Sequence, residues 1–282
     1  MTLKSFTGEL LKAQANGYAI PLYNVFELQG IDGIFAAAEA CHAPTIIAIY
    51  SNQLHLPLSR ALVEYIKMRA AESSGVFTLM LDHGPNVETC LLALEMGFTD
   101  VMFDGSSLPF EENVAKTRQI VEAAHARGVG VEAELGHVGL GEDYDTISSQ
   151  RYGFTDPDEA VRFVEATGID SLAIAFGNAH GNYKGEPHLD IDLLKEIRGR
   201  VSIPLVLHGG SGISFEQFHE AIDVGIAKIN YVTQILNVAA AKMKAAANQE
   251  KANVFTITDG IRQAYLEVCT QMYGVFRTTG RA

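Results

Sequence analysis

The sequence predicts an α/β protein, a single (β/α)8 TIM barrel occupying residues 1–282 with one extra C-terminal helix. Three observations predict it. Eight short apolar or β-branched runs alternate with longer amphipathic segments along the whole chain. The runs are near-continuously apolar, as parallel strands buried on both faces require. No G-x-G-x-x-G follows the first run, which disfavours the rival open doubly wound sheet. Eight strand–helix units also fill one barrel of about 250 residues better than they fill two domains.

In chain order, strands are expected at residues 18–23, 45–50, 77–81, 100–103, 130–133, 171–175, 205–207 and 227–229. Amphipathic helices are expected between them at 30–40, 58–71, 87–96, 111–126, 158–166, 191–198 and 215–224. Gly75, Gly97, Gly128, Gly168 and Gly225 follow helical segments, where a left-handed cap suits glycine alone. The tail offers two more helices, 232–251 as the eighth of the barrel and 258–273 as a surplus one suited to subunit contact. Residues 135–157 break the rhythm. They are polar and glycine-rich without helical period, so they read as a long loop, a lid or binding segment.

Composition narrows the function. Hydrophobic residues make up 48% and charged residues 20%, which excludes a disordered chain. The formal net charge is −13, a field that repels a phosphate backbone and argues against nucleic-acid binding. An anionic small molecule must therefore be held by a local site. Cys41, Cys90 and Cys269 lie far apart and form no C-x-x-C pair, the usage of a reducing compartment. The N-terminus lacks the apolar run of a signal peptide, and no apolar stretch approaches the ~18 residues that span a bilayer. A cytoplasmic protein without membrane contact is expected.

Active sites of this fold sit at the carboxyl ends of the strands. Just past each run stand Asn24, Ser51, Asp82-His83, Asp104-Gly105-Ser106, Glu134, Gly177-Asn178-Ala179-His180, His208-Gly209-Gly210-Ser211-Gly212 and Asn230. Every strand thus ends in a group able to hydrogen-bond or ionise. Of nine histidines, His42, His55, His125, His188 and His219 fall in helices or their flanks and read as surface or packed residues. His83, His180 and His208 each follow a buried strand and should converge on one mouth. Three imidazoles with an open fourth position are what catalytic zinc needs. His137 in the long loop reads equally as a solvated residue or a substrate group. The glycine-rich turn after the seventh strand and the Asn230–Thr233 turn after the eighth, opening a helix, form the usual phosphate cradle of such barrels.

These residues resemble the class II, zinc-dependent ketose-bisphosphate aldolases of the fructose- and tagatose-bisphosphate type. The likeness runs from end to end. It is carried by Leu81-Asp82-His83, Val101-Met102-Phe103-Asp104-Gly105-Ser106, Glu132-Ala133-Glu134-Leu135-Gly136, His180-Gly181-Asn182-Tyr183-Lys184, Leu207-His208-Gly209-Gly210-Ser211-Gly212 and Lys228-Ile229-Asn230. The resemblance implies one catalytic Zn2+ on His83, His180 and His208, with Glu134 the carboxylate that orients it or holds it in another position. It implies Asp82 as the acid/base at the C4 oxygen and Glu142, on the loop, as a second carboxylate. Gly181, Gly209, Gly210, Ser211, Asn230 and Thr233 match positions that bind the dihydroxyacetone phosphate half, and Ser51 one that meets the aldehyde half. A monovalent cation near the phosphate and a homo-oligomer, dimer or tetramer, are also implied.

The implied reaction is reversible aldol cleavage of a phosphorylated ketose to dihydroxyacetone phosphate and an aldehyde. Breaking a bond beside a carbonyl leaves electrons that a metal or a lysine Schiff base must stabilise. No lysine stands plainly at an interior strand end: Lys228 precedes one and Lys184 lies in a loop. Three strand-end histidines favour the metal. Departures from the family pattern bear on the substrate. Leu140 replaces a hinge glycine, Val232 stands where fructose-type enzymes tend to have aspartate, and Thr258 stands where many relatives grip the distal phosphate with arginine. A ketose 1-phosphate, giving an unphosphorylated aldehyde, is therefore the alternative to a 1,6-bisphosphate. A phosphosugar epimerase and a catalytically silent phosphosugar-binding protein are the readings from other classes.

Overall fold

The computed structural model describes residues 3–282. Its centre is a closed parallel barrel of β1 (Ile20–Asn24), β2 (Thr45–Tyr50), β3 (Phe77–Gly84), β4 (Asp100–Phe103), β5 (Gly130–Leu135), β6 (Ser171–Ile174), β7 (Leu205–Leu207) and β8 (Ile226–Asn230). Each strand pairs with the next, and β8 closes on β1 through Leu22 opposite Asn230. The TIM-barrel expectation holds. Two strands run further than their apolar stretches. β3 continues to Gly84 because Tyr50 pairs with Asp82 and Phe103 with Gly84. β5 continues to Leu135 because Ala173 and Ile174 pair with its last two residues. Asp82, His83 and Glu134 thus sit within strand ends rather than beyond them. Backbone partners on a neighbouring strand, invisible to local composition, decide this.

Around the barrel run α2 (Leu28–Cys41), α3 (Pro57–Glu72), α4 (Val87–Met96), α5 (Phe110–His125), α7 (Pro157–Thr167), α8 (Ile191–Arg200), α9 (Phe215–Val224) and α10 (Thr233–Ala247), followed by α11 (Val254–Val275). Polar side chains start several: Asn86 accepts from Thr89 N–H, Asp190 from Leu193 N–H, and Ser214 from Gln217 N–H. Gly97, Gly128, Gly168 and Gly225 take positive φ as expected. Gly75 does not. The α3 helix ends at Glu72 with an extended Ser73, and a Cβ on Gly75 would approach the Phe77 ring to 2.7 Å. Glycine there serves close approach, not a left-handed cap.

Two helices lie where none is expected. The first, α1 (Thr7–Asn16), seals the amino end of the barrel. Phe6, Leu10 and Ala13 cluster with Ile20, Leu22, Ile46, Ala48, Met80, Met102 and Ala227. The second, α6 (Tyr144–Gln150), lies inside the supposed loop. Tyr144 and Ile147 bury against Ala179, which docks this segment on the loop after β6. Only seven residues long and mostly polar, it shows its apolar pair as a helical face only once Ala179 is present.

The surplus helix α11 packs against α2 and α10. Gly33 makes this possible, since a Cβ there would lie 2.6 Å from the Arg262 carbonyl oxygen. Tyr265 of α11 donates a 2.8 Å hydrogen bond to the carbonyl of Asn24 at the end of β1. No helix among the described residues is long and apolar enough to cross a membrane.

Candidate active site

At the carboxyl end of the barrel opens a cavity of about 570 Å³. Residues from the ends of all eight strands and the loops after them meet there, including Asn24, Ser51, Asp82, His83, Asp104, Val138, His180, Gly209 and Asn230. The three histidines converge, with ligand-capable nitrogens within 4.8 Å of one another. His83 lies at a register shift in β3 and adopts φ 50°. Such a conformation costs a non-glycine residue about 1–3 kcal/mol and marks functional positions. No sequence signal reported it.

Each imidazole uses one nitrogen as an anchor. His83 donates from Nδ1 to Asp104 at 2.9 Å, His180 from Nδ1 to the Val138 carbonyl at 3.1 Å, and His208 from Nε2 to Glu132 at 2.9 Å. The other nitrogens face one another. His208 Nδ1 stands 3.0 Å from His83 Nε2, and the buried His180 Nε2 has no partner. One anchored nitrogen and one free lone pair is the arrangement of metal-ligating histidine. The donor set, three imidazoles with the Glu134 Oε2 orphaned nearby, fits a divalent cation.

The electrostatics agree. Burial and the neighbouring His83 charge lower His180 to about 4, leaving it neutral. His208 is pushed well below its ordinary value by burial, then by Lys228. Burial also disfavours the His83 imidazolium, but Asp82, Asp104 and Glu134 outweigh it and raise the group to about 9. Ligation of a metal by this nitrogen would have to displace that proton. Glu134 is raised to about 8 by burial and the Asp104 charge, a shift that a bound cation would reverse.

Asp82 sits beside this cluster, 4% exposed. Its oxygens accept from the side-chain amides of Asn24 at 3.0 Å and Asn230 at 3.2 Å, which aim the carboxylate, and His83 Nε2 stands 3.9 Å from one of them. The glycine turns are required by their surroundings. A Cβ on Gly209 would fall 2.0 Å from the Ala179 carbonyl oxygen, and Gly181 has φ 86°. Tyr183 ties the two turns together, accepting from Ala179 N–H and donating to the Gly209 carbonyl, both at 2.8 Å. Ser211 accepts from Gln234 N–H at the start of α10, and Thr233 is that helix's first residue. Ser51, Gly181, Gly209, Ser211, Asn230 and Thr233 all line the cavity; Gly210 is not among the lining residues, and its N–H bonds the Asn230 carbonyl at 3.0 Å.

Glu142 is not among the lining residues. It lies exposed in a single helical turn, Gly141–Asp143, on the rim. The adjoining strip pairs with the histidine loop: Gly141 N–H bonds the His180 carbonyl at 2.7 Å, and His180 N–H bonds the Gly139 carbonyl at 2.8 Å. His137 lines the cavity 3.3 Å from Ser106 Oγ. Sequence reasoning did not single out Glu132 or Asp104 as partners of the histidines. Glu132 had a signal, since it alternates with Glu134 in β5 and therefore shares its inward face. Asp104 had only its place at a strand end.

Comparison with known proteins agrees with this geometry. The family model described as "Fructose-bisphosphate aldolase class-II" matches residues 4–281. A fructose-bisphosphate aldolase of Geobacillus stearothermophilus is 42% identical over 237 residues, covering 83% of this chain and 82% of that one. The fructose-bisphosphate aldolase of Staphylococcus aureus is 39% identical over 254 residues, covering 89% and 88%. The crystal structure of the YdjI aldolase from Escherichia coli K12 superposes with a TM-score of 0.89 at 33% identity, covering 99% of both chains. The chain is therefore an aldolase, a carbon–carbon lyase of carbohydrate metabolism, and belongs to the class II fructose-bisphosphate aldolase family.

Proposed function

We propose that the protein is a zinc-dependent aldolase that reversibly cleaves a phosphorylated ketose to dihydroxyacetone phosphate and an aldehyde. The observation that carries this is the trio His83, His180 and His208, each anchored at one nitrogen with the other turned toward the cluster, beside the amide-held carboxylate of Asp82. Zinc suits a three-imidazole set and supplies a Lewis acid that draws off the negative charge arising beside the broken bond. Asp82 takes the proton of the C4 hydroxyl during cleavage and returns it during condensation. Asn24 and Asn230 hold its oxygens for that transfer. Glu142 exchanges the C3 proton from the rim when its segment closes, which also excludes water. Glu134 serves the metal directly. Gly181, Gly209, Gly210, Ser211, Asn230 and Thr233 hold the phosphate with backbone N–H groups, hydroxyls and a helix N-terminus, with a monovalent cation nearby. Ser51 meets the aldehyde half. A homodimer or tetramer is the assembly in keeping with Val254 and Phe255, which stand 65% and 81% exposed at the start of α11.

The relatives' names point to a fructose bisphosphate; the cavity favours a different distal end. Among the described residues, no lysine or arginine lines it, whereas Asp82 and Asp104 do. Thr258 is absent from the lining, and its hydroxyl bonds the Val254 carbonyl. Arg262 is tied to Asp259 at 2.8 Å and Arg277 to Asp223 at 2.5 Å. A ketose 1-phosphate yielding an unphosphorylated aldehyde matches these walls. Chelation should abolish release of dihydroxyacetone phosphate in a coupled assay, and zinc should restore it. Activity that survives complete metal removal would overturn the metal reading. Losing one charge-assisted hydrogen bond of roughly 1.5–3 kcal/mol should cost about ten- to a hundredfold in bisphosphate preference, read as kcat/KM. A preference well above about a thousandfold would overturn the reading of the distal end and assign its phosphate to a cation from a neighbouring subunit.

A further inference from the structure

Below the histidines, inside the barrel, lies a charged cluster that the reaction outlined above does not use. Glu132 of β5, Lys228 of β8 and Ser171 of β6 are all 0% exposed. Glu132 Oε1 accepts from Lys228 Nζ and from His208 Nε2, each at 2.9 Å, and Oε2 accepts from Ser171 Oγ at 3.2 Å. A barrel interior is an expensive place for an ion pair, which apolar residues of similar volume can often replace without loss. The α1 plug shows that this chain fills its interior with apolar side chains elsewhere. The pair therefore needs a reason beyond stability.

Its contact with His208 supplies one. Glu132 offers only acceptors, so the proton of His208 must reside on Nε2, and the lone pair of Nδ1 then faces His83 Nε2 within the histidine cluster. A neutral side chain could not impose that tautomer as firmly. Without Lys228, the carboxylate would stand alone in the barrel and could satisfy itself only by pulling His208 toward it or by taking up a proton. Lys228 holds that carboxylate in place from 2.9 Å, and its charge also disfavours an imidazolium at His208 directly. We propose that Lys228 and Glu132 are a buried positioning pair that sets the tautomer of His208 and so makes it an Nδ1 ligand, with Lys228 acting through Glu132 and never as a Schiff-base nucleophile. This rests on the metal reading above, and its test separates the two.

The test uses the full-length protein and the variants Glu132→Gln, Lys228→Met and the double replacement, which removes both charges at nearly constant volume. Zinc affinity is measured by chelator competition, and the proton position on His208 by nitrogen-15 NMR of the metal-free protein. Wild-type protein should show His208 protonated at Nε2. The double variant should melt near the wild type yet bind zinc about ten- to a hundredfold more weakly, the usual cost of losing a partner of a metal ligand. Its Nε2–H signal should be lost or exchange with an Nδ1–H form, and kcat should fall with little change in KM. A double variant that binds zinc within twofold of the wild type and keeps the Nε2–H tautomer would overturn the proposal and leave the pair a purely structural one. If the wild-type protein bound no zinc, the metal reading would fail, while the NMR of the metal-free protein would still decide the tautomer. A single variant that fails to fold is covered by the double one, in which no buried charge is left unpaired.

Discussion

The two ends of the same eight strands bury carboxylates equally deeply and treat them in opposite ways. At the amino end, Asp100 is 0% exposed and accepts from Ser5 Oγ at 2.7 Å and from Phe6 N–H. The α1 helix then closes over it with an apolar face. At the carboxyl end, Glu134 is 1% exposed; one oxygen accepts from Val138 N–H at 3.1 Å and the other has no partner. His180 Nε2 and Asn230 Oδ1 are orphaned at the same end of the barrel. Buried polar atoms are almost always satisfied in native proteins, so a cluster of exceptions at one end marks groups that await a ligand. Burial alone does not distinguish a structural carboxylate from a functional one; completion of its hydrogen bonds does.

That contrast can be broken by mutation. The largest effect is expected at Asp82. Asp82→Asn should lower kcat by about 10²- to 10⁴-fold while thermal melting and zinc content stay at wild-type levels. A variant that lost stability but kept its kcat would mean that the open end is structural after all. At the closed end the pattern should invert. Phe6→Ala, which removes a fully buried ring of the plug, should cost about 3–5 kcal/mol in urea unfolding and leave kcat/KM unchanged at temperatures where the protein remains folded. A large change in kcat/KM there would show that the two ends are coupled through the barrel.

The smallest effect sharpens the comparison through pH. Burial raises Asp100 well above its ordinary value, against the opposing hydrogen bonds from Ser5, Thr99 and Phe6. A carboxyl raised on folding binds its proton more tightly in the native state. Its contribution to stability is complete below the unfolded value near 4 and is lost as pH rises toward the folded value, by up to about 1.4 kcal/mol per unit. Asp100→Asn removes that titration. The stability of the wild type minus that of the variant should fall as pH climbs from about 4. A difference that stays flat would mean that the Ser5 and Phe6 hydrogen bonds fully compensate the burial.

Much of this was legible in the residues. The alternation of apolar runs with amphipathic segments gives the barrel, because parallel strands covered on both faces can hardly be built from anything else. The polar residue after each run locates the mouth, and the expected α4 and α9 have the observed bounds. The plug helix α1 also carried a signal, the spacing of Phe6, Leu10 and Ala13 on one helical face. It was obscured because the segment is short and has no strand before it.

What the sequence determined by itself was the set of chemical groups and the strand to which each belongs. Periodicity of two along a strand and 3.6 along a helix is a local property, so it can be read one segment at a time. Tertiary structure decided which nitrogen of each histidine faces the cluster, because that depends on acceptors brought from the end of β4, from β5 and from the Val138 strip. It decided the left-handed turn at His83, set by a register shift against the neighbouring strand. It also set Glu142 on the rim rather than in the cavity, through the pairing of its segment with the His180 loop. Each of these is a contact between residues distant in the chain, and no spacing along one segment can encode the partner that another must supply.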